Sequence, residues 1–270
     1  MNKVISNLEK LQQKQNLLLN EYLTARLMYD FVTYTYNNEH IRKRFGRSYG
    51  SHGFNIICAL FFEDISKRLY NISFDNDKNS LSIKNFIHEI KQHKDALEEF
   101  IRTPVHINFP HYFSEKQKNK IIDERSQTQV ENFYYSHKEL LKKFDTLKSS
   151  HITHKIKKIR HKVSAHFDVS TGSNSISRTT ISDSHLKIDE LTTFIEDVEK
   201  LISLCSECCG KSFAFDSLPT QHAKIAIDFW DKARATEWAY RGGVKISTKR
   251  RRRAKSKFKF LKTAFKKPSP

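Results

Sequence analysis

"HITHKIKKIRHKVSAHFD", residues 151 to 168, is the stretch on which the reading of the whole chain turns. Ile152, Ile156, Ile159 and Val163 recur at i, i+4, i+7 and i+11, which puts four branched side chains on one stripe of an α-helix. A half-buried strand would need alternation with a period of two, and the stretch lacks it. Between the apolar positions stand Lys155, Lys158, Arg160, His161, Lys162 and His166. One face of the predicted helix is therefore apolar and the other cationic. Arg160 and His166 fall about 120° apart around an ideal helix, and both can avoid the isoleucine stripe.

Working outward, the same period recurs along the chain. Residues 3 to 35 are Leu-rich with Gln, Asn and Glu between, and predict a long first helix. "RKRFGRSYGSHG", 42 to 53, holds three glycines and should break it. Phe54, Ile57, Phe61, Ile65 and Leu69 predict a second helix to about residue 71. After the polar turn "SFDNDKNS", Ile83, Phe86, Ile87, Ile90, Leu97 and Ile101 predict a third. Pro104 and Pro110 bracket a loop. Ser114 followed by Gln117 is a capping-box start for a fourth helix to about Leu147. The opening stretch is the fifth, and "VSTGSNSISRTTISDS" after it reads as a Ser/Thr loop. Residues 186 to 209 and 219 to 240 predict a sixth and a seventh. No repeat and no strand emerges. The expected fold class is an all-α bundle of about seven helices, forming one domain over residues 1–240, with a flexible basic tail over 241–270.

Composition agrees. Of 270 residues, 38% are hydrophobic and 12% aromatic, enough for a real core, while 7 Gly and 5 Pro are few for an all-β chain. The formal net charge is +18, but residues 241–270 hold 13 Lys or Arg and no acid, leaving +5 for the rest. Such an arm favours anionic partners. The N-terminal "MNKVISNLEKLQQKQ" has no apolar signal core, and "IICALFF", 56 to 62, is far short of a membrane span. With 4 Cys, three of them clustered, a reducing cytoplasm is the expected location and a membrane partner is not expected.

A phosphodiester could use the opening stretch. Arginine offers a permanently charged fork for phosphate oxygens. Histidine accepts and donates protons near neutral pH. RNA brings its own nucleophile, the 2′-hydroxyl, so a positioned Arg and His could cleave it without metal and leave a 2′,3′-cyclic phosphate. Spacing alone is weak support, because Arg47–His52 and Arg178–His185 show similar separations outside any periodic helix. By spacing alone, a solvated basic helix face is the commoner outcome.

"IRHKVSAHFD", 159 to 168, resembles the signature of the HEPN superfamily of helical nucleotide-binding and RNase domains: an Arg, a polar residue, then a His after four to six intervening positions. The likeness is closest to the abortive-infection branch of phage-defence HEPN proteins. There, a helix similar to "SYGSHGFNIICALFFEDISKRLYN" precedes a Ser-led helix similar to "SLSIKNFIHEI" and then the motif helix. It extends over roughly residues 25 to 210. The resemblance implies a HEPN-like bundle and an endoribonuclease of a phage-defence or toxin system. Arg160 would bind or orient the scissile phosphate, His166 would be the general acid or base, and His161 would support them. Asp168 would orient His166 or, the reading preferred, begin the following loop. A homodimer is implied, with two motif helices facing across a two-fold axis. RNA is the implied partner, tRNA and mRNA not being distinguished, together with an antitoxin or a phage-derived activator. No cofactor is implied. His161 departs from the Asn or Asp common at its position, and many HEPN domains are inert RNA binders. The alternative is thus a non-catalytic RNA- or protein-binding helical module, one half of a toxin–antitoxin pair.

Other features admit more than one reading. Cys205, Cys208 and Cys209, with Cys58 or His222, could complete a tetrahedral zinc site, but they also continue the apolar stripe of Leu201 and Leu204. Core packing is the preferred reading, and no metal is expected. His106, His111, His137, His151 and His154 read as solvated. No GxxxxGK[ST] or GxGxxG is present. RNA contacts are expected from Lys155, Lys158 and Lys162, and from Arg250, Arg251, Arg252, Arg253, Lys255 and Lys257 of the tail. There, Phe258, Phe260 and Phe265 could stack on bases. Phe258, Leu261 and Phe265 also form one edge of a short amphipathic helix, and a solvated tail is the third reading. Deleting residues 245 to 270 is expected to weaken RNA binding and to flatten the slope of log Kd against log salt. Equal slopes with and without the tail would contradict its role.

Overall fold

Eight helices and one hairpin run through the residues that the computed structural model describes: 2–39, 41, 43, 49–102, 109, 112–161, 169–172, 175–178 and 185–240. Their order is α1 (Asn2–Asn37), α2 (Tyr49–Phe74), α3 (Ile83–Gln92), α4 (Lys94–Arg102), α5 (Glu115–Ser149) and α6 (His151–Lys158). Then come β1 (Val169–Gly172), β2 (Ser175–Arg178), α7 (Ile188–Glu207) and α8 (Leu218–Tyr240). The all-α class holds. Phe109 apart, the proline-bracketed loop lies outside the described residues, as do the motif positions Lys162, Val163, His166 and Asp168 and the tail with all its basic residues.

Local chemistry sets the helix ends. Ser114 caps α5 reciprocally: its Oγ accepts from the Gln117 amide at 3.4 Å, and the Gln117 side chain accepts from the Ser114 amide at 2.9 Å. Ser82 caps α3 by accepting from the Asn85 amide. Ser150 ends α5, its amide donating to the Leu147 carbonyl, and its Oγ accepts from the Thr153 amide to begin α6. Gly210, at φ 70°, turns the chain after α7, a conformation that glycine adopts without steric cost.

The chain divides into two compact units. The first comprises Met1–Tyr22, Leu69–Thr153 and Phe194–Phe213. Its core gathers Ile83, Phe86, Ile90, Leu97, Phe133, Leu140 and the rings of Phe74, Phe144 and Phe194, all buried. Phe74 stands 5.6 Å from Phe144 and 6.4 Å from Phe194 between centroids. Inside it the Gln15 amide donates to Ser206 Oγ at 2.6 Å, while Gln15 Oε1, Ser73 Oγ and His137 Nε2 are buried without a hydrogen-bond partner among the described residues. The second unit comprises Leu23–Arg68, His154–Thr193 and Ala214–Pro270. Its core is aromatic: Phe31, Phe54 and Trp230 pack with Val32, Ile41, Cys58 and Ala226. The Trp230 indole donates to Thr35 Oγ1 at 2.9 Å, so the ring is buried without an orphaned N–H.

Several sequence expectations change. The Ser/Thr stretch holds an antiparallel hairpin, with Val169 opposite Arg178 and Gly172 opposite Ser175. Its Ser-rich strands carry too little apolar alternation to announce themselves, and Ser173–Asn174 between them is no strong turn signal. The single helix expected over 83–101 is two, separated at His93 without a proline or glycine to mark the break. The Gly-rich break does not delay α2 to Phe54; the helix begins at Tyr49 and includes Gly53, which is exposed with open space around it. The motif helix is α-helical to Lys158 and then becomes a π-helical turn over 159–161.

Truncating Phe194 to Ala is expected to cost about 3–5 kcal/mol, since it empties a buried ring site. Ser114→Ala should cost only about 1 kcal/mol, the worth of one cap. Urea unfolding midpoints of the two variants check this ordering.

Candidate active site

Ile156 and Ile159 are each 0% exposed, so the apolar stripe of α6 is turned inward as the period requires. That burial fixes the rotation of the helix and leaves Lys155, Lys158, Arg160 and His161 half-buried, with His154 and Lys157 exposed. The helix widens into the π turn at 159–161, where Arg160 and His161 sit. Such turns occur disproportionately at functional sites.

Arg160 Nη1 stands 3.2 Å from His161 Nδ1. A guanidinium can only donate, so Nδ1 accepts and the ring proton of a neutral His161 lies on Nε2. Protonated His161 would turn Nδ1 into a donor and lose this contact. The structure thus brings together two of the three predicted reactive residues; His166 lies outside the described residues.

The predicted phosphate contacts are placed unequally. Lys155 Nζ lies 2.7 and 3.0 Å from the two carboxylate oxygens of Glu190 and 3.0 Å from the His185 carbonyl. Those three acceptors occupy all three donors of its ammonium. Glu190 and His185 are the residues the sequence reading missed. The one available signal was Glu190 three positions after Lys187, an N-terminal capping spacing; its Oε2 accepts from the Lys187 amide at 2.8 Å.

A second polar cluster in the same unit was equally unforeseen. Asp30 receives the Arg26 Nε–H at 3.0 Å on each oxygen, and His222 Nδ1 lies 2.8 Å from its Oδ2. Asp30 and His222 are both buried. His222, weighed as a zinc ligand, is instead paired with a carboxylate. Among the described residues no group of three or more His, Cys, Asp or Glu is arranged to hold a metal ion. Cys58, Cys205, Cys208 and Cys209 are buried free thiols. Burial pushes Cys58 and Cys209 up to about 12, and Cys205 and Cys208 rise for the same reason. His137, expected to be solvated, is half-buried and stacked on Phe133 with centroids 6.1 Å apart. Burial, then the charges of Lys94 and Lys91, hold its pKa below the usual range.

The model of the HEPN family described as AbiU2 matches residues 8–229. The chain belongs to this family. The AbiU2 match begins within α1, ends within α8 and takes in the whole of the motif stretch. It makes the chain an abortive-infection type HEPN domain protein. No match was found among curated proteins or among solved structures. No described helix is long and apolar enough to cross a membrane.

Thiols with pKa near 12 carry almost no thiolate at pH 8. The four cysteines should therefore stay unreactive toward a disulfide reagent in the native protein and all react in denaturant. Rapid labelling of Cys205, Cys208 or Cys209 before unfolding would contradict the burial.

Proposed function

We propose that the chain is an endoribonuclease of a phage-defence or toxin system, cleaving RNA by transesterification without a metal ion. The observation that carries this reading is the pairing of Arg160 with His161 on the π turn, directly after a fully buried Ile159. Arg160 grips the scissile phosphate and stabilises the charge that builds on its oxygens. His161 accepts from that guanidinium and sets its orientation. His166 serves as the general acid or base. The 2′-hydroxyl loses its proton and attacks phosphorus, and the bond to the 5′-oxygen breaks. That oxygen leaves with a proton, giving a 2′,3′-cyclic phosphate and a 5′-hydroxyl end.

Two copies with their motif helices facing would line one groove with two such sets. Lys158 and the basic tail add salt-sensitive phosphate contacts. An antitoxin or a phage-derived activator would govern the activity in the cytoplasm.

Purified protein incubated with total RNA in EDTA is expected to yield discrete fragments. Arg160→Ala and His166→Ala should each lower the rate by about 100-fold or more, the scale on which general acid–base and electrostatic groups act. Cleavage unchanged in both variants would remove the enzyme. RNA binding without cleavage would instead favour the non-catalytic module.

A further inference from the structure

Lys155 precedes the π turn, whereas His185, Lys187 and Glu190 follow the hairpin, yet all four residues meet. The chain leaves α6, passes Arg160 and His161, forms β1 and β2, and returns to the same ion pair. Three features show that this is a built junction. The Lys155 and Glu190 side chains are only 16% and 22% exposed, so their attraction is less screened than that of a surface pair. Glu190 is shared, its Oε2 also accepting from the Lys187 amide at the start of α7. His185 adopts φ 52°, a left-handed conformation uncommon outside glycine, and its carbonyl meets Lys155.

We infer that the Lys155–Glu190 pair is a clamp that positions the Arg160/His161 turn for RNA cleavage by tying α6 to the start of α7 on either side of the hairpin. This rests on the ribonuclease reading above. Both residues are positioning residues: they hold the geometry and do not touch RNA. A displacement near 1 Å at a reacting group is enough to cost about 100-fold in rate.

The test compares Lys155→Met, which keeps the apolar stem, Glu190→Gln, which is nearly isosteric, and the double variant; thermal melts establish that each is folded. Steady-state cleavage is measured in EDTA, and hydrogen exchange is followed at the hairpin amides of residues 169–172 and 175–178. The clamp predicts that each single variant loses about 100-fold in kcat with little change in KM, and that the double variant is no worse than the worse single. Hairpin amides should exchange faster in all three. If Lys155 were a phosphate contact, Lys155→Met would raise KM and Glu190→Gln, by freeing the ammonium, would tighten RNA binding; either result overturns the clamp, as do additive losses or unchanged hairpin exchange. Should the unaltered protein leave RNA intact, the ribonuclease reading fails, and hairpin exchange alone then decides whether the pair clamps the segment.

Discussion

Everything proposed for the motif depends on the burial of Ile156 and Ile159. Cations stand on so much of this helix that charge alone specifies its rotation weakly. Two fully buried isoleucines specify it, each worth about 1.5–3 kcal/mol over exposure. Once they are inside, the direction of Arg160 is set by helical geometry. The π turn then places Arg160 and His161 within 3.2 Å of each other at the helix end.

The cations of this stretch, nearly equivalent as letters, divide once their partners are known. Lys155 has its charge balanced by Glu190, much as Arg26 has its own balanced by Asp30 beside His222. Buried or half-buried charges need such partners, because an uncompensated one would be costly to keep from water. Lys157, by contrast, stays exposed. Lys155 and Lys158 look equivalent along the chain because nothing in local spacing announces a carboxylate thirty-five positions away. Similarly, His222 read as a potential ligand for the cysteine cluster, whereas its contact is with Asp30, 192 positions earlier.

Much of the fold was legible for reasons that act locally. The period of Ile152, Ile156 and Ile159 and the Ser114–Gln117 box act within one or two turns, and the corresponding helices lie close to where they were expected. The interruption at His93 carries no proline or glycine, and the hairpin carries little apolar alternation, so both escaped pattern reading. The π turn was equally hidden, since an expanded turn leaves no mark in residue spacing. Of the candidate site, the membership of Arg160 and His161 could be read from the motif, but their contact and the junction at Glu190 could not.

The chemistry of the ends left on cleaved RNA tests the central claim most directly. Transesterification through the 2′-hydroxyl predicts fragments with a 2′,3′-cyclic phosphate on one side of the cut and a 5′-hydroxyl on the other, formed in the presence of EDTA and resolved by mass spectrometry. Fragments ending in a 3′-hydroxyl and a 5′-phosphate, or fragments that appear only when a divalent metal is supplied, would contradict it.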